Sequence, residues 1–470
     1  MIRTDSRKVR PGDTFVALDG IKGNGADYID SAVAKGAARI VCKTGTCLNE
    51  AANAEVIHVP DTRAYLEEIL VKEYGDIVAG MTLIGVTGTN GKTTTCHLIS
   101  RLLNDMGMKC ACIGTIGFFM GEKIRDLPNT SVDICDLYGL LIEAREAGFD
   151  YVVLEASSQG LDMGRLNTVK FDIAVFTNLT EDHLDYHMTM EDYARAKQRL
   201  FEKVREGGSL IINGDDPYTD YFLPREMSAR GCRTAPGSKV ITYGFGDFDY
   251  KIKDFGGTEL TSLKYEYRGR EHTLNVRLIG RHNMYNLIAC IAAAKELGNA
   301  DEDIAAAAKN LVPPDGRMER ILHKGANIVI DYAHTSDAME KIIETTRTFT
   351  EGNIYVVFGC TGDREREKRP IMTQIALQGS AFAIITVDDI HGEDPEQIFG
   401  DMLEGNTLNN YEVCPDRRKA IEKGMALLRE GDTLLILGKG HEMFIAVDTG
   451  DIPHNDKQAV LEIIAGNTEG

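Results

Sequence analysis

Three things are missing from this chain, and two of them narrow what it can be. It has no tryptophan, which by itself excludes nothing. No apolar run reaches the roughly 18 to 20 residues that a membrane-spanning helix needs, and the N-terminus carries neither a basic n-region nor an apolar h-region. The 10 cysteines form no Cys-x-x-Cys pair and no zinc-ligand spacing, so they read as reduced cytosolic thiols. Positive charge is also in deficit: 52 Lys and Arg against 72 Asp and Glu give a net charge of −20. Such a surface repels nucleic acid and anionic membranes, so any phosphorylated ligand must find a local positive pocket. A cytoplasmic protein with no nucleic-acid partner and no membrane insertion is expected.

What is present is ordinary globular material, 43% hydrophobic and 26% charged. At about 100 to 200 residues per domain, the length of 470 suggests roughly three domains. Residues 1–78 read as a small α/β unit, with strand-like runs at 14–18 and 38–42 and a helical stretch at 28–36. From Thr82 onward, short β-branched runs alternate with longer amphipathic ones, at 82–86, 93–106, 151–154 and 173–176. That alternation predicts a parallel sheet with helices on both faces. Residues 239–278 break the rhythm with Gly and Asp turns, which predicts a small antiparallel excursion before an Ala-rich helix at 286–297. After Pro313, Pro314 and Gly316, the runs 328–330, 354–358, 382–386 and 433–437 interleave with helices as in a second doubly wound unit. The expected architecture is α/β in three domains: 1–78; 79–312, a central P-loop parallel-sheet ATPase domain; and 313–470, a Rossmann-like domain.

The strongest local signal is Thr82-Leu-Ile-Gly-Val-Thr-Gly-Thr-Asn-Gly-Lys-Thr-Thr-Thr95. A strand feeds a Gly-containing turn and then a helix, so backbone N–H groups can converge on phosphate oxygens. Lys92 would reach the β- and γ-phosphates and Thr93 would help hold Mg²⁺. Val86 stands where the strict P-loop pattern has its first glycine. Glu155 ends a strand at the sheet edge where ligands bind, so it is a candidate metal ligand. Acids and imidazoles crowd Asp182-His183-Leu-Asp-Tyr-His187, which suits Mg²⁺, Mn²⁺ or Zn²⁺ and keeps a metal-dependent hydrolase open. A nucleotide-dependent switch would share the P-loop, but no Asn-Lys-x-Asp guanine-reading motif is present. On spacing alone, Lys197 reads as a solvated lysine on a helix.

Thr87-Gly-Thr-Asn-Gly-Lys-Thr-Thr-Thr95, Glu155-Ala-Ser-Ser158, Asp182-His-Leu-Asp-Tyr-His187 and the Lys197 helix, in this order, resemble the central domain of Mur ligases. Gly280-Arg-His-Asn-Met-Tyr-Asn286, Gly316-Arg-Met-Glu-Arg320, Asp331-Tyr-Ala-His-Thr335, Phe358-Gly-Cys-Thr-Gly-Asp-Arg364, Lys368-Arg-Pro370 and Gly438-Lys-Gly-His-Glu442 extend the resemblance through the C-terminal half. Together with Asp5-Ser-Arg-Lys-Val-Arg-Pro-Gly-Asp13, they look like the member of that series that adds the third residue to a UDP-linked cell-wall peptide.

The resemblance implies ATP and two Mg²⁺ ions as cofactors. ATP would lie on Gly88, Thr89, Asn90, Gly91, Lys92, Thr93 and Thr94, with His282, Asn283, Asn286, Arg317, Asp331 and His334 lining the nucleotide. Thr93, Glu155, His183 and a carbamylated Lys197 would handle the metals. Ser6, Asn129, Thr130, Ser131, Ser157 and Arg165 would hold a UDP-linked muramoyl peptide. Arg364, Asp388, Asp389, His391, Gly438 and Glu442 would face a free amino acid. The implied reaction is ATP-dependent amide formation on a D-Glu carboxylate through an acyl phosphate, by a monomeric enzyme of peptidoglycan synthesis.

Departures from the family pattern cluster on the acceptor and amino-acid sides. The family has about twenty more residues before Asp5, which implies an incomplete uracil pocket. Thr130-Ser-Val132 replaces Thr-Thr-Pro, Ser157-Ser-Gln159 replaces Ser-Ser-His, and Met163 stands where Gln is common. These changes keep open a paralogue that joins an amino acid to a different carboxylate acceptor. Asp388-Asp-Ile-His391 stands where enzymes adding meso-diaminopimelate have Asp-Asn-Pro-Arg. Losing the Arg fork implies that meso-diaminopimelate is not the best substrate, and the extra acid favours a distal ammonium such as that of lysine or ornithine.

Overall fold

The computed structural model describes residues 1–19, 23–46, 54–257 and 260–466. Its first sheet is parallel and runs Ile2–Arg3, Thr14–Val16, Arg39–Lys43 and Glu55–Val59 in spatial order. The helix expected at 28–36 is the shorter Ile29–Ala34, entered through a 3-10 turn at Gly25–Tyr28. One face of this unit is not self-contained. Ile2, Val16, Val41 and Val59 share an apolar core with Leu66 and Leu70 of the helix Thr62–Ala79 and with Leu83 and Val152 of the next sheet.

The central sheet has eleven strands. Thr82–Thr87 lies between Tyr151–Glu155 and Phe171–Phe176, parallel to both. After it, the chain fills one side with Cys110–Gly114 and Tyr151–Glu155, then crosses to the other with Phe171–Phe176, Val204–Asn213 and Lys239–Gly244. Thr87 therefore ends at a switch point, where diverging connections leave a crevice at the carboxyl edge. The excursion expected at 239–278 is antiparallel only in part. Lys239–Gly244 extends the parallel sheet because Ile241 and Tyr243 are buried in the core under the helix Arg281–Glu296. The antiparallel strands are Tyr250–Gly256, Thr261–Tyr267 and Arg270–Val276.

The third sheet has six strands in the order Glu319–His323, Ala326–Asp331, Thr433–Leu437, Ile354–Phe358, Phe382–Ile385 and Tyr411–Val413, parallel apart from the first. Asp331, Phe358, Ile385 and Leu437 thus end at one edge. That edge meets the central crevice through Arg317 Nη2–Thr93 Oγ1 at 3.4 Å, Asn90 Nδ2–Asp337 Oδ2 at 2.9 Å and Lys368 Nζ–Asp182 Oδ1 at 3.3 Å. Among the described residues, no helix is long and apolar enough to cross a membrane.

Candidate functional site

The phosphate loop is shaped by contacts that need glycine. At Gly88 the Thr177 hydroxyl leaves no room for a Cβ, and at Gly91, with φ 85, a Cβ would stand 2.6 Å from Asn286 Oδ1. Gly91 opens the helix Lys92–Asp105, so free backbone N–H groups gather where the loop turns. Thr89 N donates to Asn178 O at 2.8 Å and Asn90 N to Asn178 Oδ1 at 2.9 Å, which fixes the loop against the segment after Phe176.

Lys92 donates to Gly88 O at 3.0 Å and Thr89 O at 2.8 Å. Lys197 donates to the same Gly88 O at 2.7 Å. The reading of Lys197 as a solvated lysine is therefore corrected, because its residue is only 1% exposed. On the helix Met190–Glu202, Tyr193, Lys197, Leu200 and Phe201 share one buried face, so the spacing of the apolar neighbours held the signal. The Tyr193 ring lies 4.2 Å from the Lys197 ammonium. Burial and the neighbouring Lys92 hold the Lys197 amine well below the usual lysine range. Burial also lowers Lys92, against the pull of Glu155 and Asp182.

Glu155 is 2% exposed. It accepts hydrogen bonds from Thr93 Oγ1 at 2.9 Å, Thr115 N at 2.8 Å and Thr115 Oγ1 at 3.1 Å, all neutral donors. A buried carboxylate without an ion-pair partner among the described residues is suited to a cation. His183 has φ 54, stands at the start of the helix Leu184–His187, and is half-exposed beside Asp182.

Three cavities lie around this centre, the second and third sharing His183 and the first and third sharing Tyr332 and His334. The first, of about 410 Å³, is lined by Asn90, Gly91, Thr94, His282, Asn283, Asn286, Arg317, Asp331 and His334, all expected on the nucleotide side. It also takes in Tyr285 and Tyr332, which lie inside the 280–286 and 331–335 motifs without an expected role, and Thr177, Asn178, Asp215, Asp216 and Lys341, which the expected nucleotide set leaves out. Burial pushes His282 down to about 4, so it is neutral near pH 7. Arg317 stacks 4.5 Å over the Tyr332 ring and spans the two sheets.

The second cavity, of about 140 Å³, brings together Lys92, His183 and Lys197 with Asn129, Thr130, Ser131, Ser157 and Arg165. Arg165 donates to Ser131 O at 2.7 Å, and Ser131 and Ser157 hydroxyls lie 3.1 Å apart. Ser6 is buried in the first unit and is not among the residues lining this cavity. The third cavity, of about 360 Å³, is lined by Arg364, Asp388, Asp389, His391, Gly438 and Glu442, and opens past His183 and Asp182 toward the phosphate loop. Asp389, the extra acid of the 388–391 segment, lines this cavity with its Oδ1 accepting from Lys439 Nζ at 2.6 Å and Ala446 N at 2.7 Å. Lys439 was within a quoted motif without a role.

The nine described cysteines are all free and buried, and Cys47 lies outside the described residues.

Family models match nearly the whole chain. Residues 86–294 match the Mur ligase middle domain, 316–440 the Mur ligase glutamate ligase domain, and 1–74 the Mur ligase family catalytic domain. A Bacillus cereus protein named UDP-N-acetylmuramoyl-L-alanyl-D-glutamate--2,6-diaminopimelate ligase is 36% identical, over 99% of this chain and 94% of its own length. An Aquifex aeolicus protein of the same name is 37% identical, over 99% and 94%. A solved structure of a ligase with that name is 33% identical with TM-score 0.69, covering 99% of this chain and 95% of that one. The Thermotoga maritima MurF ligase in complex with ADP shares the fold at 19% identity and TM-score 0.68, covering 100% and 97%.

Proposed function

This chain belongs to the Mur ligase family, and on that premise we propose that it is an ATP-dependent ligase. It joins the D-Glu carboxylate of a UDP-N-acetylmuramoyl-L-Ala-D-Glu acceptor to an amine of a free amino acid. The observation that carries this reading is the set of three neighbouring cavities around the phosphate loop, the second lined by Lys92 and Lys197, the third sharing His183 with it and Tyr332 and His334 with the first. A hydrolase would need no third cavity, and a nucleotide switch would need neither of the other two. The working domains are 1–78, 79–312 and 313–470.

In the first step, an oxygen of the acceptor carboxylate attacks the γ-phosphorus, the bond to the β–γ bridging oxygen breaks, and ADP leaves. In the second, the amine nitrogen attacks the acyl carbon, the bond to the phosphate oxygen breaks, and the nitrogen loses its proton. Activation is required because a carboxylate oxygen is a poor leaving group. Lys92 and the helix N-terminus at Gly91 stabilise charge on the transferred phosphoryl group. Arg317, tied to Thr93 from the C-terminal sheet, closes the site so that water does not hydrolyse the acyl phosphate.

Two Mg²⁺ ions, when bound, would neutralise phosphate charge. Glu155 suits one of them, since its buried carboxylate meets only neutral donors. Thr93, His183 and Lys197 would complete the ligands. Lys197 suits this role as a carbamate: the neutral amine adds CO₂ and loses a proton, which turns a cation beside Lys92 into an anion. In the amino-acid cavity, Arg364 and His391 stand with Glu442. The relatives are named for 2,6-diaminopimelate; with His391 in place of an Arg fork, meso-diaminopimelate is not the best substrate of this chain.

The test is ADP release against a panel of acceptors and amino acids. Release that requires both the UDP-muramoyl dipeptide and an amino acid is expected. Release stimulated only by another carboxylate would assign the chain to a paralogue with a different acceptor.

A further inference from the structure

A cation that the chemistry above does not use lies beneath the amino-acid cavity. The Lys439 side chain has no exposed surface. Its ammonium lies 2.6 Å from Asp389 Oδ1, 3.9 Å from Asp388 Oδ1 and in contact with Glu442 Oε2. Ligand atoms of these three acids all fall within 4.8 Å of one another, close enough to repel strongly in a buried setting. Each acid is also anchored: Asp388 Oδ1 accepts from Asp389 N at 2.7 Å, Asp389 Oδ1 from Ala446 N at 2.7 Å, and Glu442 Oε1 from Tyr332 Oη at 3.2 Å. Ala446 belongs to the hairpin strand Phe444–Val447, and its carbonyl accepts from His391 N at 3.0 Å. Lys439 thus touches Asp388, Asp389 and Glu442 and, through Asp389, the strand that pairs with His391.

We propose that Lys439 is a positioning residue that holds the carboxyl groups of Asp388, Asp389 and Glu442 in register, so that the cavity presents an acidic floor to an ammonium group of the incoming amino acid. Counted formally, three acids against one ammonium leave the cluster an excess of two acidic groups. Without Lys439 the acids repel one another and move apart, and the floor loses its shape. Arg417 does not substitute for it, because its guanidinium is committed to Asp456, Val387 O and Leu437 O. The cluster has cation-ligand spacing, and the Lys439 ammonium already serves it. This inference rests on the ligase reading for its assay.

Lys439→Met keeps the bulk of the side chain and removes its charge. The expected result is an increase of about ten- to hundredfold in KM for the amino acid, the scale of a hydrogen bond to a charged group, with KM for ATP and the acceptor nearly unchanged. The double variant Lys439→Met/Asp389→Asn returns the floor to two acids without a cation, the wild-type net charge, and is expected to recover most of the loss. A merely structural lysine would not be rescued by removing an acid. An unchanged amino-acid KM in the single variant overturns the proposal. So does a double variant as poor as the single, or, if the single does not fold, a double variant still more than about tenfold above wild type. Wild-type protein that releases no ADP with any amino acid would instead sink the ligase reading itself.

Discussion

Replacing Lys197 by Ala tests the electrostatics at the centre of the site. Two lysines donate to one carbonyl oxygen, Gly88 O, at 3.0 and 2.7 Å, with no carboxylate among their hydrogen-bond partners. Two ammonium ions gathered on one carbonyl oxygen in a buried setting repel each other strongly, since little water screens them. Burial acts in the same direction on Lys197. Its amine is therefore held well below the usual lysine range, which favours the neutral form that adds CO₂, and a carbamate there would convert repulsion of Lys92 into attraction. Loss of this group is expected to lower kcat by about 10² to 10³, as for other preorganised electrostatic groups. Added acetate or formate should restore part of the rate by placing a carboxylate in the space vacated, and wild-type activity should fall reversibly when bicarbonate is stripped. The assay is amide formation at saturating ATP, with thermal melting to confirm folding. A folded Lys197→Ala protein with wild-type kcat, or a wild type indifferent to bicarbonate, would refute the reasoning.

Lys92→Ala should reduce turnover by about 10² to 10³, because the helix N-terminus and Arg317 alone leave phosphate charge uncompensated; single-turnover ADP formation measures it. His391→Arg should raise the kcat/KM of meso-diaminopimelate relative to lysine by about 10- to 150-fold, since a forked donor grips a distal carboxylate better than a single imidazole N–H. An unchanged ratio would mean that Arg364 alone sets the choice. Asp456→Asn should destabilise the C-terminal domain by about 3 to 5 kcal/mol in denaturant titrations, because it leaves the fully buried Arg417 without its partner. Burial opposes the Asp456 charge, but Arg417 and His454 outweigh it and hold the carboxyl down at about 2. That stabilisation is therefore complete above the unfolded value of about 4 and is lost as pH falls toward 2.

Much of this fold was legible because its strands are buried on both faces. Ile354–Phe358 and Thr433–Leu437 have the very bounds that their short apolar runs announce. Edges and short turns were not legible. Phe118 and Phe119 of the strand Gly117–Met120 lie in a hairpin that no periodicity marks, and Lys239–Gly244 reads like the antiparallel strands that follow it until its pairing with Val204–Asn213 is known. In the site, the phosphate loop and the strand-end Glu155 could be read locally, since their geometry is contained in a strand, a turn and a helix start. The burial of Lys197 was legible in the apolar spacing of its helix, but its partner, the Gly88 carbonyl 109 residues away, was not, and Lys439 is meaningful only beside Asp389, 50 residues away. Charge pairing across strands leaves no trace in local spacing, so the sequence placed acids in the amino-acid cavity and missed the cation beneath them.

The central claim is that a carboxylate of the acceptor is phosphorylated before the amine attacks. Acceptor labelled with ¹⁸O in the D-Glu side-chain carboxylate, incubated with ATP, Mg²⁺ and the amino acid, tests this by mass spectrometry of the inorganic phosphate released. The account predicts one ¹⁸O atom in each phosphate formed with amide product, because the C–O bond broken in the second step leaves the carboxylate oxygen on phosphorus. Amide product accompanied by unlabelled phosphate would contradict it.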